Sequence, residues 1–104
     1  MVVDEIRELL AAPNPEEATP FLERLDATLT AGYAHALQLE AERWRLERRI
    51  GEVAAELARE TSVPRAQELG ALSVQLKGAN ERIAALRALL TSLRDKRSEV
   101  RTAA

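Results

Sequence analysis

From Leu22 to Val100, apolar side chains recur at alternating steps of three and four, and few architectures accommodate that spacing. In the first stretch the row is Leu22, Leu25, Leu29, Gly32, Ala36, Leu39, Arg43, Leu46, Ile50, Val53 and Leu57. In the second it is Leu69, Leu72, Leu76, Ala79, Ile83, Leu86, Leu90, Leu93, Arg97 and Val100. An average step of 3.5 residues keeps one seam of a helix turned toward a partner helix, the mark of a coiled coil. The chain is therefore all-α, and its two long arms are expected to fold on each other as an antiparallel two-helix hairpin.

The two rows are mutually complementary. If the chain reverses at Thr61, facing seam residues pair so that their numbers sum to about 122. Leu22 then meets Val100, Leu29 meets Leu93, Leu39 meets Ile83, Leu46 meets Leu76, Ile50 meets Leu72 and Val53 meets Leu69. Small residues fall opposite large ones: Gly32 to Leu90, Ala36 to Leu86, and Arg43 to Ala79. Alternation of size across facing layers lets a core fill without voids or strain. Beside the seam the same register sets Asp26 near Arg94 and Glu42 near Arg82, while Glu56 falls near Glu68, a like-charge pairing. Exposed pairs contribute only a few tenths of a kcal/mol, so they report register more than stability.

The bounds on either side of the arms follow from local signals. Val2, Val3, Ile6, Leu9 and Leu10 make one apolar face, which predicts a short helix over 3–12 with Asp4 able to cap it. Pro13-Asn14-Pro15 breaks that helix. Asn14, Pro15 and Glu17 form one helix-start signal and Thr19-Pro20 another, and the first arm is placed at 19–60. Thr61-Ser62-Val63-Pro64 is the turn, with Ser62 or Val63 at the cap, and the second arm is placed at 63–101. The 104 residues make a single domain.

Composition narrows the class of function. Charged residues are 31% of the chain and aromatics 3%, the balance of long helices. There is no Cys, so thiolate chemistry and disulfides drop out. No apolar run nears the roughly 20 residues that span a bilayer, and Met1-Val2-Val3-Asp4-Glu5 lacks the basic flank and apolar core of a signal peptide. The expected location is cytoplasmic, with no membrane partner. Charge runs from −5 over residues 1–30, through −1 over 31–60, to +4 over 61–104. A hairpin sets the acidic start against the basic end, so the gradient is internal complementarity and argues against a nucleic-acid footprint, which needs a net basic face.

Candidate sites are few. Tyr33, Leu37 and Trp44, with Ala34 and Ala41, lie on the side of the first arm that faces away from the seam. Together with Ile6, Leu9 and Leu10 of the short helix they are the candidate partner-binding residues, since a ten-residue helix must dock somewhere to persist. Arg43, Arg45, Arg48 and Arg49 surround Trp44 and are a candidate anion site, although Glu40, Glu42, Glu47 and Glu52 lie close enough to neutralise them. Glu5-x-x-Glu8 and Glu23-x-x-Asp26 could hold Mg²⁺ on facing helices. In pattern they resemble the all-α nucleotide pyrophosphatases of the MazG type, a resemblance that implies a metal-dependent hydrolase. With 17 acids in 104 residues, such spacing arises about once by chance, and the regular seam beyond Leu39 departs from that family.

Two families of similar shape match less. Secreted helical hairpins carry Trp-x-Gly at the turn, where this chain has Thr61-Ser62-Val63-Pro64. Hairpin anti-sigma factors that bind a cyclic dinucleotide carry a Glu/Ser/Arg/Gln/Asp spacing that is absent. The lone His35 has no second ligand or nucleophile in a supporting arrangement. The expectation is a non-enzymatic interaction module without a cofactor or metal, an adaptor, chaperone or regulator. It would complete a helical bundle as a homodimer or by docking another helical protein. A regulatory site for a nucleotide or Mg²⁺ is the alternative.

Overall fold

The computed structural model describes residues 1–103. They form three helices, α1 (Val2–Ala11), α2 (Ala18–Arg59) and α3 (Val63–Ala103), with no strand among the described residues. The boundaries expected from the sequence lie within two residues of these. Of the two start signals before α2, the later one operates: residues 13–17 stay outside any helix, and Thr19-Pro20 fall in the first turn, where a proline lacks no needed hydrogen bond. Ser62 caps α3 as expected, its Oγ accepting from the Arg65 amide at 3.4 Å. At α1 the expectation fails. Asp4 lies inside the first turn, Met1 occupies the cap position, and no side chain caps the helix.

The helical hairpin of α2 and α3 has the register the seam predicts. Gly32 faces Leu90, Glu56 pairs with Arg65, and Asp26 pairs with Arg97, and each sum lies within one of 122. Contacts gather into two compact units, Met1–Leu37 with Ala84–Ala104, and Gln38–Ile83.

The first unit holds three helical segments and a closed core. Ile6, Leu9, Phe21, Leu25, Leu29, Ala36, Leu86, Leu90, Leu93 and Val100 are all buried. The sequence places Leu22 on the seam, but Leu22 is only half-buried while its neighbour Phe21 is covered. The reason is α1. A helix pair needs one buried row per arm, whereas a third helix needs more, and Phe21 and Thr28 supply it beside the seam residues Leu25 and Gly32. Gly32 shows how tight the fit is: a Cβ there would overlap Leu90 Cδ2 and lie 3.5 Å from Ile6 Cδ1.

Lys96 of α3 closes the end of α1. That helix has acids, Asp4 and Glu5, in its first turn but no base in its last. Lys96 Nζ supplies the missing charge, donating to the carbonyls of Leu9 (2.6 Å), Leu10 (3.0 Å) and Ala12 (2.6 Å). A cation at a helix C-terminus meets both the orphan carbonyls and the negative end of the macrodipole. The same ammonium lies 5.6 Å from the centre of the Phe21 ring, which keeps a half-buried charge in favourable surroundings.

The second unit is a bare pair of helices, and its core is thin. Leu39, Val53, Ala79 and Ile83 are buried. Leu46, Ile50, Leu57, Leu69, Leu72 and Leu76, from the same seam, remain half-buried. Two helices cover one side of each other's seam and leave its edges wet, so more than half of the apolar row is only partly covered.

Candidate interaction surfaces

Near the turn, five charged side chains lock the second unit. Arg49 Nε donates to Glu68 Oε1 at 2.9 Å, with Nη2 at 2.7 Å from the same oxygen. Arg49 Nη1 also reaches Glu52 at 3.3 Å. Arg65 Nη1 lies 2.6 Å from Glu56 Oε2 and 3.8 Å from Glu68. The Glu56–Glu68 juxtaposition read from the sequence is thus resolved by an arginine between the two carboxylates and a second one beyond. Glu56 Oε2 is itself buried and makes no directed hydrogen bond, so its compensation is the charge contact with Arg65. The hydrogen bonds to Glu68 and Glu52 hold the Arg49 guanidinium above its ordinary pKa.

This network and its neighbours occupy most of the arginines proposed as an anion site. Arg43 lies 3.7 Å from Glu47, Arg48 lies 3.6 Å from Glu52, and Arg49 is held as above. Arg48 also stacks 5.5 Å from the centre of the Trp44 ring. Successive helical positions point their guanidiniums apart, each to an acid on its own or the facing helix. Arg45 instead lines a groove described below. Arg43, a seam position opposite buried Ala79, is half-buried and sends its charged end to Glu47.

The carboxylates are dispersed as well. Among the described residues no three Asp, Glu, His or Cys side chains converge as metal ligands do, so Glu5, Glu8, Glu23 and Asp26 do not form a cluster. Asp26 is engaged by Arg97, not by Arg94 as the register suggested. Arg94 instead lines, with Arg97, Tyr33 and Asp26, a shallow crevice of the first unit. Arg97 stands at a seam position at the end of the row, and its long stem lets the guanidinium leave the core for the carboxylate. His35 is half-buried.

The candidate partner-binding residues divide by location. Ile6 and Leu9 are 0% and 2% exposed and Leu10 is half-buried, all within the chain's own first unit. Their face is already covered in cis and leaves the set of open surfaces. In the first unit Leu37 stays 67% exposed, and Tyr33 is also exposed. In the second, Trp44 is 59% exposed, beside Arg48.

The second unit adds a surface the sequence reading did not isolate. Leu46 and Leu72 floor a groove of about 500 Å³, flanked by Val74 and Gly78 and edged by Glu42, Arg45, Arg49 and Arg82. Val74 is 73% exposed, the most of any valine or leucine in the unit. Its signal in the sequence was an apolar residue off the seam among small residues, Gly70, Ala71 and Gly78. That pattern identifies an open face only once the seam is seen to be half-covered.

Among the described residues no helix is long and apolar enough to cross a membrane. Compared with known family models, curated proteins and solved structures, the chain matches none.

Proposed function

We propose that the chain is a non-enzymatic protein–protein interaction module whose two-helix unit, Gln38–Ile83, docks on a second helical hairpin, in the first instance a second copy of itself. The observation that carries this is the half-covered seam. Six leucine and isoleucine side chains of that unit are still in partial contact with water, although their spacing is that of a buried row. Units of this size rarely hold a core of their own and are commonly completed by association. Two antiparallel hairpins laid together make a four-helix bundle in which such a row is enclosed.

The edge of the groove favours self-association. It presents Glu42 together with Arg45 and Arg82, so a two-fold operation can bring each arginine edge to the other copy's Glu42. Self-complementarity of one patch is what an isologous dimer requires.

Sedimentation velocity of three chains tests the proposal. The wild type is expected to be a dimer. Val74→Asp is expected to be monomeric with unchanged helical circular dichroism, because it places an unpaired carboxylate on the apolar face. Leu37→Ser/Trp44→Ser, on the side of α2 away from the seam, is expected to remain dimeric. A Val74→Asp chain that still associates removes the groove as the interface, and a Leu37→Ser/Trp44→Ser chain that turns monomeric transfers it to the outer face.

A further inference from the structure

The most telling contact outside that surface is the one between Lys96 and α1. We infer that the groove beneath α1 in the first unit is a binding site for short amphipathic helices, and that α1 is its built-in, displaceable occupant. The ligand it fits is a helix of another protein with apolar side chains at i and i+3 and C-terminal carbonyls that end within reach of Lys96. This surface shares no residue with the groove of the second unit.

Three features of α1 set it apart from the helices it rests on. It has ten residues, too few to hold its shape alone in water. Two of its side chains, Ile6 and Leu9, are fully buried, and no side chain caps its start. It joins α2 through Ala12 to Glu17, a non-helical segment with two prolines. A segment held by so few buried contacts belongs to the low end of a protein's range of local stabilities. Leaving would not dismantle what lies beneath, because Leu25, Leu29, Ala36, Leu86, Leu93 and Val100 belong to the seam between α2 and α3, as does the Gly32–Leu90 approach.

The groove, for its part, reads features that any helix of this pattern presents. Ile6 seats beside Gly32, where even a Cβ would stand at ordinary contact distance, 3.5 Å from the Ile6 Cδ1 methyl. Lys96 donates to three main-chain carbonyls and to no side chain of α1. Recognition through backbone carbonyls is independent of sequence at those positions, and its charge complements the negative end of whichever helix is seated. The buried row demands only apolar groups one turn apart. α1 in cis therefore competes with, and holds off, an incoming helix of the same form.

The test uses full-length chains and, as probe, a fluorescein-labelled peptide of this chain's residues 1–14. In the Ile6→Asp/Leu9→Asp chain α1 cannot seat, and the peptide is expected to bind one to one. Binding to the wild-type chain is expected to be at least tenfold weaker, and adding Lys96→Met to the double variant is expected to weaken it at least fivefold. Hydrogen exchange of the wild type should show the α1 amides exchanging at least tenfold faster than those of Leu25, Leu29, Leu90 and Leu93.

Four results overturn the inference: a helical double variant that ignores the peptide, binding unaffected by Lys96→Met, α1 amides that exchange only with the rest of the unit, or a double variant that self-associates instead of taking the peptide. The last would give the groove to a second copy. Should the double variant lose its helical circular dichroism, Leu9→Ala, which shortens one anchor without adding charge, is expected to bind the peptide more tightly than the wild type does. Equal binding by the two would then refute it.

Discussion

At Gly32 a missing methyl group sets how closely α2 and α3 approach. A Cβ there would overlap the Leu90 side chain, which is itself buried and would have to shift within the core. Gly32→Ala is expected to cost about 1–3 kcal/mol, the usual penalty of overpacking, read as a lower urea midpoint. Gly51 and Gly70 are the contrast, since a Cβ at either meets nothing within 4 Å. Both are helical, where Gly is about 1 kcal/mol worse than Ala. Gly51→Ala and Gly70→Ala are each expected to raise stability by roughly 0.5–1 kcal/mol in the same titration. Opposite signs from one chemical change, sorted by packing alone, are a stringent check on the register of the hairpin.

Helices here are fixed by different means at their different ends. Ser62 caps α3 through the Arg65 amide, and Ser62→Ala is expected to cost about 0.5–1 kcal/mol. The carboxylate–arginine network beside it is at least one-third exposed at most of its members. Glu68→Gln is therefore expected to lower stability by less than about 1 kcal/mol, with the loss shrinking as salt is raised. Comparing thermal unfolding at low and high ionic strength separates the two effects, because a neutral cap does not respond to salt.

Although the Asp4 cap of α1 is not formed, the helix boundaries and most of the seam were legible in the sequence because they depend on residues near one another or on a strict repeat. Phe21 was not, since the second buried row exists only because α1 docks on the first unit, and α1's docking site is not written in its own ten residues. Lys96 was hidden for the same reason: its partners are carbonyls more than eighty positions away. The arginine bridge between Glu56 and Glu68 escaped because pairing by facing position ignores how far a guanidinium can swing along the helix.

Across the chain, the two units differ in how far each closes its own core. The first buries its apolar rows with three helical segments; the second leaves six seam side chains half in water. Legibility follows the same division. The half-covered seam was foreseeable from the count of helices, because two cannot enclose a row that three or four can. Which edge stays open, the Leu46–Leu72–Val74 side, follows from side-chain placement that a repeat alone does not specify.

The proposed association would complete the core of the second unit. Hydrogen exchange measured over a dilution series reads this directly. The amides of Leu46, Ile50, Leu69 and Leu72 are expected to gain protection as protein concentration rises through the micromolar range, while those of Leu25, Leu29, Leu90 and Leu93 stay constant. Protection in the second unit that is high and independent of concentration would show that the bare hairpin is sufficient, and would contradict the proposed role.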